Sequence, residues 1–191
     1  MFHRRLTEET FRTIVRPHLG KLHRIAVRWT GDPGAAEDLV QELVTRLWQK
    51  PGRLGEARSQ EAWLVRALYH LYVDMVRRDS RRPENGALEL NEEVLEGEAA
   101  VRASAEGAWR TQRVLRSIAA LPLPQRTVVV LHDMEGYSLD ETARLVGVRT
   151  GTVKSRLGRA HKHLRDVLSG NVSASGCVLE GEVSNDAMST V

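Results

Sequence analysis

Apolar residues along this chain recur three and four positions apart, the spacing of one helix face. No segment shows the strict alternation of a half-buried strand. Leu19, Leu22, Ile25, Ala26 and Trp29 predict a helix over 18–29. Pro17 suits its first turn and predicts a break from a preceding helix around 8–15. After the turn signal Gly31-Asp32-Pro33-Gly34, a second stripe runs through Ala36, Leu39, Val40, Leu43, Val44, Leu47 and Trp48, and Pro51-Gly52 should stop it. A third runs from the candidate N-cap Ser59 through Trp63, Leu64, Ala67, Leu68, Leu71, Met75 and Val76 to Arg82. Val128-Val129-Val130-Leu131 is β-branched, yet it keeps the helical frame of Val114, Leu115, Ile118 and Leu121 around the Pro122-x-Pro124 break, and is predicted helical.

The last pattern carries the most specific signal. Ser138 and Glu141 have capping-box spacing, in which the hydroxyl and the carboxylate each take a backbone amide of the other. Ala143 is small where two helices would cross closely. Gly147 can take the left-handed conformation that ends a helix. Leu145, Val148, Val153 and Leu157 supply a shared apolar face. A helix, a tight turn and a second helix studded with cations make a helix-turn-helix, whose second helix can enter a DNA major groove. Gly151 and Thr152 would open that helix and let backbone amides approach a phosphate. Lys154, Ser155, Arg156, Arg159 and Lys162 should face outward, the arginines suited to guanine and the others to phosphates. Arg149 stands where a capping residue would be expected, so Thr150 is the expected cap.

Charge distribution changes the picture. The net charge of +3 over 191 residues conceals +6 over residues 1–83, −6 over 84–108, +6 over 109–169 and −3 over 170–191. Two basic blocks on an acidic tether suggest two polyanion-binding modules. The expected architecture is all-α: two small helical domains, 1–83 and 109–169, the second holding the helix-turn-helix, joined by a flexible acidic linker at 84–108 and followed by a disordered tail at 170–191. The linker, at about 3.3 Å per residue, reaches about 80 Å, enough to span two turns of duplex, about 70 Å.

Composition excludes several classes. Aromatic content of 5% leaves cores to Leu, Val and Ala. The single cysteine, Cys177, excludes an intramolecular disulfide framework and a cysteine-based zinc site and fits a reducing cytoplasm. No apolar run approaches a membrane span, and His3, Arg4, Arg5, Glu8 and Glu9 argue against a signal peptide. No phosphate-binding glycine loop, metal-binding helix motif or nucleophile elbow is present, so no enzyme, cofactor, metal or small-molecule substrate is expected. His161 and His163 are two apart, the wrong spacing for chelation from one helix face.

Taken together, these residues make the chain resemble a bacterial RNA polymerase sigma factor of the extracytoplasmic-function (ECF) type. The resemblance in the C-terminal half runs from Leu121-Pro122 through Arg126, 128–131, Glu135-Gly136-Tyr137-Ser138, Glu141, Ala143, Gly147-Val148 and 151–157 to Arg159-Ala160 and Leu164-Arg165. In the N-terminal half it rests on residues 36–42, Leu47-Trp48, Ala62-Trp63-Leu64, Asp74 and Arg77-Arg78.

The resemblance implies a division of labour. Asp38, Gln41, Glu42, Thr45 and Arg46 would contact the clamp helices of the polymerase β′ subunit, and the C-terminal domain would meet the β flap. Arg66, Tyr69, His70, Tyr72, Arg77, Arg78, Arg81 and Arg82 would melt and hold the promoter −10 element, where cations track the strand and a stacking surface takes an extruded base. His70 departs from the Asn common in the family. Arg149, Thr150, Gly151, Thr152, Lys154, Ser155, Arg156, Arg159 and Lys162 would read the −35 element. The implied partners are core RNA polymerase, promoter DNA and an anti-sigma factor, in the cytoplasm. The alternatives are a stand-alone helix-turn-helix regulator that binds an operator unaided and a protein that sequesters a partner through its helices. The absence of an evident dimerisation element speaks against the first, and the two basic blocks against the second.

Overall fold

The computed structural model describes residues 8–50, 54, 57–79 and 113–169. The expectations for the linker, the tail with Cys177, the Pro51-Gly52 stop, and Arg81 and Arg82 lie outside these residues. Among the described residues the architecture is helical without strands. The chain enters through α-helical Glu8–Thr10, a π turn at Phe11–Val15 and a 3-10 turn at Arg16–His18. Four helices follow: α1 (Leu19–Thr30), α2 (Pro33–Gln49), α3 (Gln60–Asp79) and, after a helical stretch at 113–119, α4 (Leu123–Val129). A π turn, Val130–Met134, extends α4, and α5 (Leu139–Val146) and α6 (Thr150–Leu168) follow.

Pro17 stands between the helical turns at 8–15 and α1, where the break is expected. It sits inside the 3-10 turn that joins them, where its missing amide is no loss. α2 begins with Asp32, whose carboxylate accepts from the Ala35 amide at 2.6 Å, and with Pro33 in the first turn. α3 begins with Ser59, whose hydroxyl accepts from the Ala62 amide at 3.2 Å, as its sequence position predicts. The valine run at 128–130 is helical and fully buried, so tertiary burial overrides its β propensity.

Leu22, Ile25, Ala26 and Trp29 of α1 join Leu39, Leu43 and Leu47 of α2 and Leu64, Val65, Leu68 and Tyr72 of α3 in the core. Leu121, 128–131, Ala143, Leu145, Val153, Leu157 and Ala160 of the other half continue the same apolar cluster. The two halves lie against each other: α3 packs on α5, and α1 packs on α4 and its π turn. Arg126 of α4 crosses the boundary, its Nη1 donating to the Trp29 carbonyl at 2.5 Å while Nη2 donates to the Leu121 carbonyl at 3.1 Å. A tether between independent modules did not anticipate this contact.

Leu43 is 2% exposed and faces α1. Leu43→Ala should lower unfolding stability by about 3 kcal/mol, read as a lower urea midpoint in circular dichroism. A midpoint unchanged from the parent would mean that α2 is not packed as described.

Candidate nucleic-acid and polymerase interfaces

The helix-turn-helix is built from local bonds. Ser138 accepts from the Glu141 amide at 3.2 Å, and the Ser138 amide donates to Glu141 Oε2 at 2.9 Å, completing the capping box. The Ser138 hydroxyl, followed by its amide, holds the Glu141 carboxyl below the usual carboxylate range. Gly147 closes α5 at φ 72°, and its amide bonds to the Ala143 carbonyl. A side chain there would be strained in the left-handed region. The buried Ala143 sits under this turn.

The cap of α6 differs from expectation. Arg149 holds the extended backbone of an N-cap and makes no side-chain cap bond, whereas Thr150 is already helical. A cap needs the non-helical backbone that Arg149 takes, so the Thr150 hydroxyl turns elsewhere and donates to Asp140 Oδ1 at 2.8 Å. That bond pins the start of α6 to the start of α5.

Along α6, Val153, Leu157 and Ala160 point into the core. Arg149, Gly151, Lys154, Ser155, Arg159 and Lys162 are exposed, and Thr152 is half-buried. Arg156 is the exception to the outward row. It is half-buried, and loss of solvent pulls its guanidinium pKa down while the nearby Tyr69 phenol acts against that. His161 is exposed and pairs through Nε2 with Asp133 Oδ2 at 2.7 Å.

On α3, Arg66, His70, Arg77 and Arg78 reach solvent. Arg78 donates from Nε to the Asp74 backbone carbonyl at 3.3 Å rather than to its carboxylate. Desolvation, then the charge of Arg66, lower the His70 pKa against the pull of Asp74. Tyr69 is half-buried, edge-on to Trp29 at 5.9 Å between ring centroids. Tyr72 does not belong to the surface at all. It is 1% exposed, stacks on Trp29 at 5.4 Å and 13°, and donates its hydroxyl to the Trp29 carbonyl at 2.5 Å. Three residues after Tyr69, it falls on the inward stripe with Leu68 and Leu71, and the helical period rather than its aromatic character decides its place.

On α2 the row Asp38, Gln41, Glu42, Thr45 and Arg46 is exposed, with Leu39, Leu43 and Leu47 buried beneath it and Val40 and Val44 half-buried. Gln41 donates to Glu37 at 3.0 Å and Arg46 to Glu42 at 2.7 Å, one turn apart along the helix. Trp48 ends the row 39% exposed, stacked on Phe11 at 5.5 Å. Sequence reasoning missed this aromatic edge because Phe11 precedes the turn at Pro17 and no periodicity links it to Trp48.

Among the described residues no group of His, Cys, Asp and Glu side chains could hold a metal ion. Nor is any helix there long and apolar enough to cross a membrane.

The matches to known proteins follow the same two halves. The family profile for Sigma-70 region 2 matches residues 14–82, and that for Sigma-70, region 4 matches residues 111–164. The chain is 34% identical over 160 residues to the ECF RNA polymerase sigma factor SigE of Mycolicibacterium smegmatis, covering 82% of this chain and 60% of that protein. It is 34% identical over 158 residues to the ECF sigma factor SigM of Mycobacterium tuberculosis, covering 83% of this chain and 76% of that one. Among solved structures, the sigma factor RpoE in complex with the anti-sigma factor NepR from Bartonella quintana has the same fold at a TM-score of 0.66, 20% identity and coverage of 86% of this chain and 99% of that one. CnrH in complex with the cytosolic domain of CnrY superposes with a TM-score of 0.59 at 22% identity, covering 87% of this chain and 92% of that one.

Tyr72→Phe should lower stability by about 1 kcal/mol and leave promoter melting, followed by permanganate reactivity of unpaired thymines, unchanged. Lost melting at unchanged stability would return Tyr72 to the DNA surface.

Proposed function

Because the chain belongs to the ECF sigma factors of bacterial RNA polymerase, we propose that it binds core polymerase and directs initiation by recognising the −10 and −35 promoter elements. The observation that carries this reading is the capped helix-turn-helix of α5 and α6, with its outward cations, on the same chain as the exposed polar row of α2. A DNA reader alone has no need of the second.

In this account Asp38, Gln41, Glu42, Thr45 and Arg46 meet the β′ clamp helices. Their side chains lie on one face of a helix fixed from below by three leucines, so docking requires little rearrangement. Trp48 extends that surface with an aromatic anchor of the kind that dominates interface energetics. Arg66, Arg77 and Arg78 neutralise the phosphates of the separated strand, and Tyr69 with His70 offers the surface for an extruded base. The lowered pKa of His70 favours the neutral ring, which can accept one hydrogen bond and donate another. Arg81 and Arg82 continue the same basic run in sequence.

At the −35 element, Gly151 and the start of α6 approach a phosphate, while Lys154, Arg156, Arg159 and Lys162 divide between backbone and base contacts. Arg149 and Ser155 are further phosphate donors, Thr152 lies beside them, and Thr150 orients α6 through Asp140. The C-terminal domain meets the β flap, and an anti-sigma factor is the proposed regulator. The solved relatives RpoE and CnrH are bound to NepR and to the cytosolic domain of CnrY, respectively. The role is non-catalytic and placed in the cytoplasm, where the polymerase is.

Run-off transcription over a pool of genomic promoters tests the reading. Purified chain with core polymerase should give transcripts from discrete start sites that neither component gives alone. A discrete footprint made by the chain alone, without transcripts, would replace the sigma factor with an operator-binding regulator.

Arg156→Ala should reduce initiation at −35-dependent promoters by roughly tenfold or more, the loss of one bidentate base contact at about 1–3 kcal/mol, with affinity for core unchanged. Equal loss of both would show that α6 does not read DNA.

A further inference from the structure

A groove of about 610 Å3 opens over the turn of the helix-turn-helix, between α5 and the start of α6. Ala143 and Val148 give it apolar lining, the first buried and the second half-buried. Arg144 and Arg149 line it as well, and both are exposed. Arg144 donates from Nε to the Asp140 backbone carbonyl at 3.2 Å, not to a carboxylate. The Asp140 carboxylate, also on the groove, is engaged by the Thr150 hydroxyl at 2.8 Å. The groove therefore offers an apolar patch beside two cations. It suits a short segment that carries aliphatic and acidic side chains together.

The chain itself carries such a segment at a matching distance. α6 (Thr150–Leu168) is 19 residues long, about 28 Å at about 1.5 Å per residue. Residues 169–177 follow it and hold no charged side chain. At about 3.3 Å each they cover up to about 30 Å, so Val178 and the residues after it can return to the start of α6. There the sequence reads Val178-Leu179-Glu180-Gly181-Glu182-Val183, aliphatic side chains around two carboxylates. Residues 170–191 contain no Lys or Arg to offset them.

We propose that this groove is the docking site of the chain's own C-terminal segment, residues 178–183. Val178 and Leu179 cover Ala143 and Val148, while Glu180 and Glu182 pair with Arg144 and Arg149. The tether supplies an effective concentration on the order of millimolar, so a weak contact is enough to occupy the groove. Arg149 and the start of α6 are also the proposed phosphate contacts at the −35 element. The docked carboxylates therefore compete with promoter phosphates for the same cation, and the tail sets how readily the helix-turn-helix takes DNA. This competition rests on the sigma-factor reading; the docking itself does not.

The only cysteine of the chain, Cys177, adjoins the segment and takes a nitroxide without any substitution. In the isotope-enriched full chain, the nitroxide should broaden the amide signals of residues 143–150 relative to the ascorbate-reduced sample. Signals of residues 38–46 should stay sharp. Glu180→Lys with Glu182→Lys should abolish the broadening at 143–150. No broadening there, or broadening that survives the double reversal, would overturn the docking. Broadening carried from a labelled chain to a separate, enriched and unlabelled one would assign the groove to a second copy and overturn it too. With core polymerase, ending the chain after Ser169 should raise open-complex formation on a limiting −35-dependent promoter about twofold or more, and the double reversal should do the same. Initiation unchanged by both would overturn the competition with DNA. Run-off transcription on the same samples separates the two ideas. Transcripts retained without broadening remove the docking alone, whereas broadening without any core-dependent transcripts removes the sigma-factor reading.

Discussion

A carboxylate taken out of water must be met by positive charge, and the buried Glu135 imposes that requirement on the whole molecule. Leaving such a group uncompensated costs several kcal/mol, and Lys21, Arg24 and Arg28 of α1 supply the positive charge. The π turn after α4 and the positive φ of Gly136 set the path of the chain here. They leave Glu135 and Tyr137 on the side where Lys21, Arg24 and Arg28 stand. Arg126 adds a second tie, since its guanidinium satisfies the Leu121 carbonyl of its own half and the Trp29 carbonyl of the other. These ties sit beside an apolar core that runs continuously across the boundary, where α5 packs on α3.

This arrangement resolves an apparent conflict of charge. Each half carries a net +6 in sequence over 1–83 and 109–169, and two such bodies would repel at long range. Screening reduces that repulsion over about a Debye length of 8–10 Å, and at contact the local pattern decides. Glu61 and Glu135 sit at the centre of the boundary and turn it into a region of alternating sign. The Glu61 carboxyl is held below its usual range, first by the bond from Lys21, and the Tyr137 hydroxyl is held protonated by burial and by Glu61. The Tyr137 hydroxyl therefore remains a donor to Glu61 at neutral pH.

What could be read from the chain in advance was what nearby residues decide. The capping box at Ser138 and Glu141, the turn at Gly147, the cap at Ser59 and the buried leucine row of α2 depend on neighbours within one or two helical turns. Their spacing alone specifies them. The positions that misled are set by distant partners. The family resemblance puts Tyr72 beside the −10 strand, but Trp29, far away in sequence, supplies the ring and the carbonyl that hold it. Arg156 belongs to an outward row by period, yet it is half-buried. Thr150 looked like a cap, but Asp140 engages its hydroxyl. The contact between the halves was invisible for the same reason: segment charges sum over Glu61 and Glu135, whose effect depends entirely on which cations they meet.

Small-angle X-ray scattering from the free, full-length chain in dilute buffer tests the central claim, that the two halves form one body through Glu135, without labels or substitutions. The account predicts a pair-distance distribution with a single maximum and a short tail. A distribution with two maxima, one for the size of a half and one for the separation between halves, would contradict it.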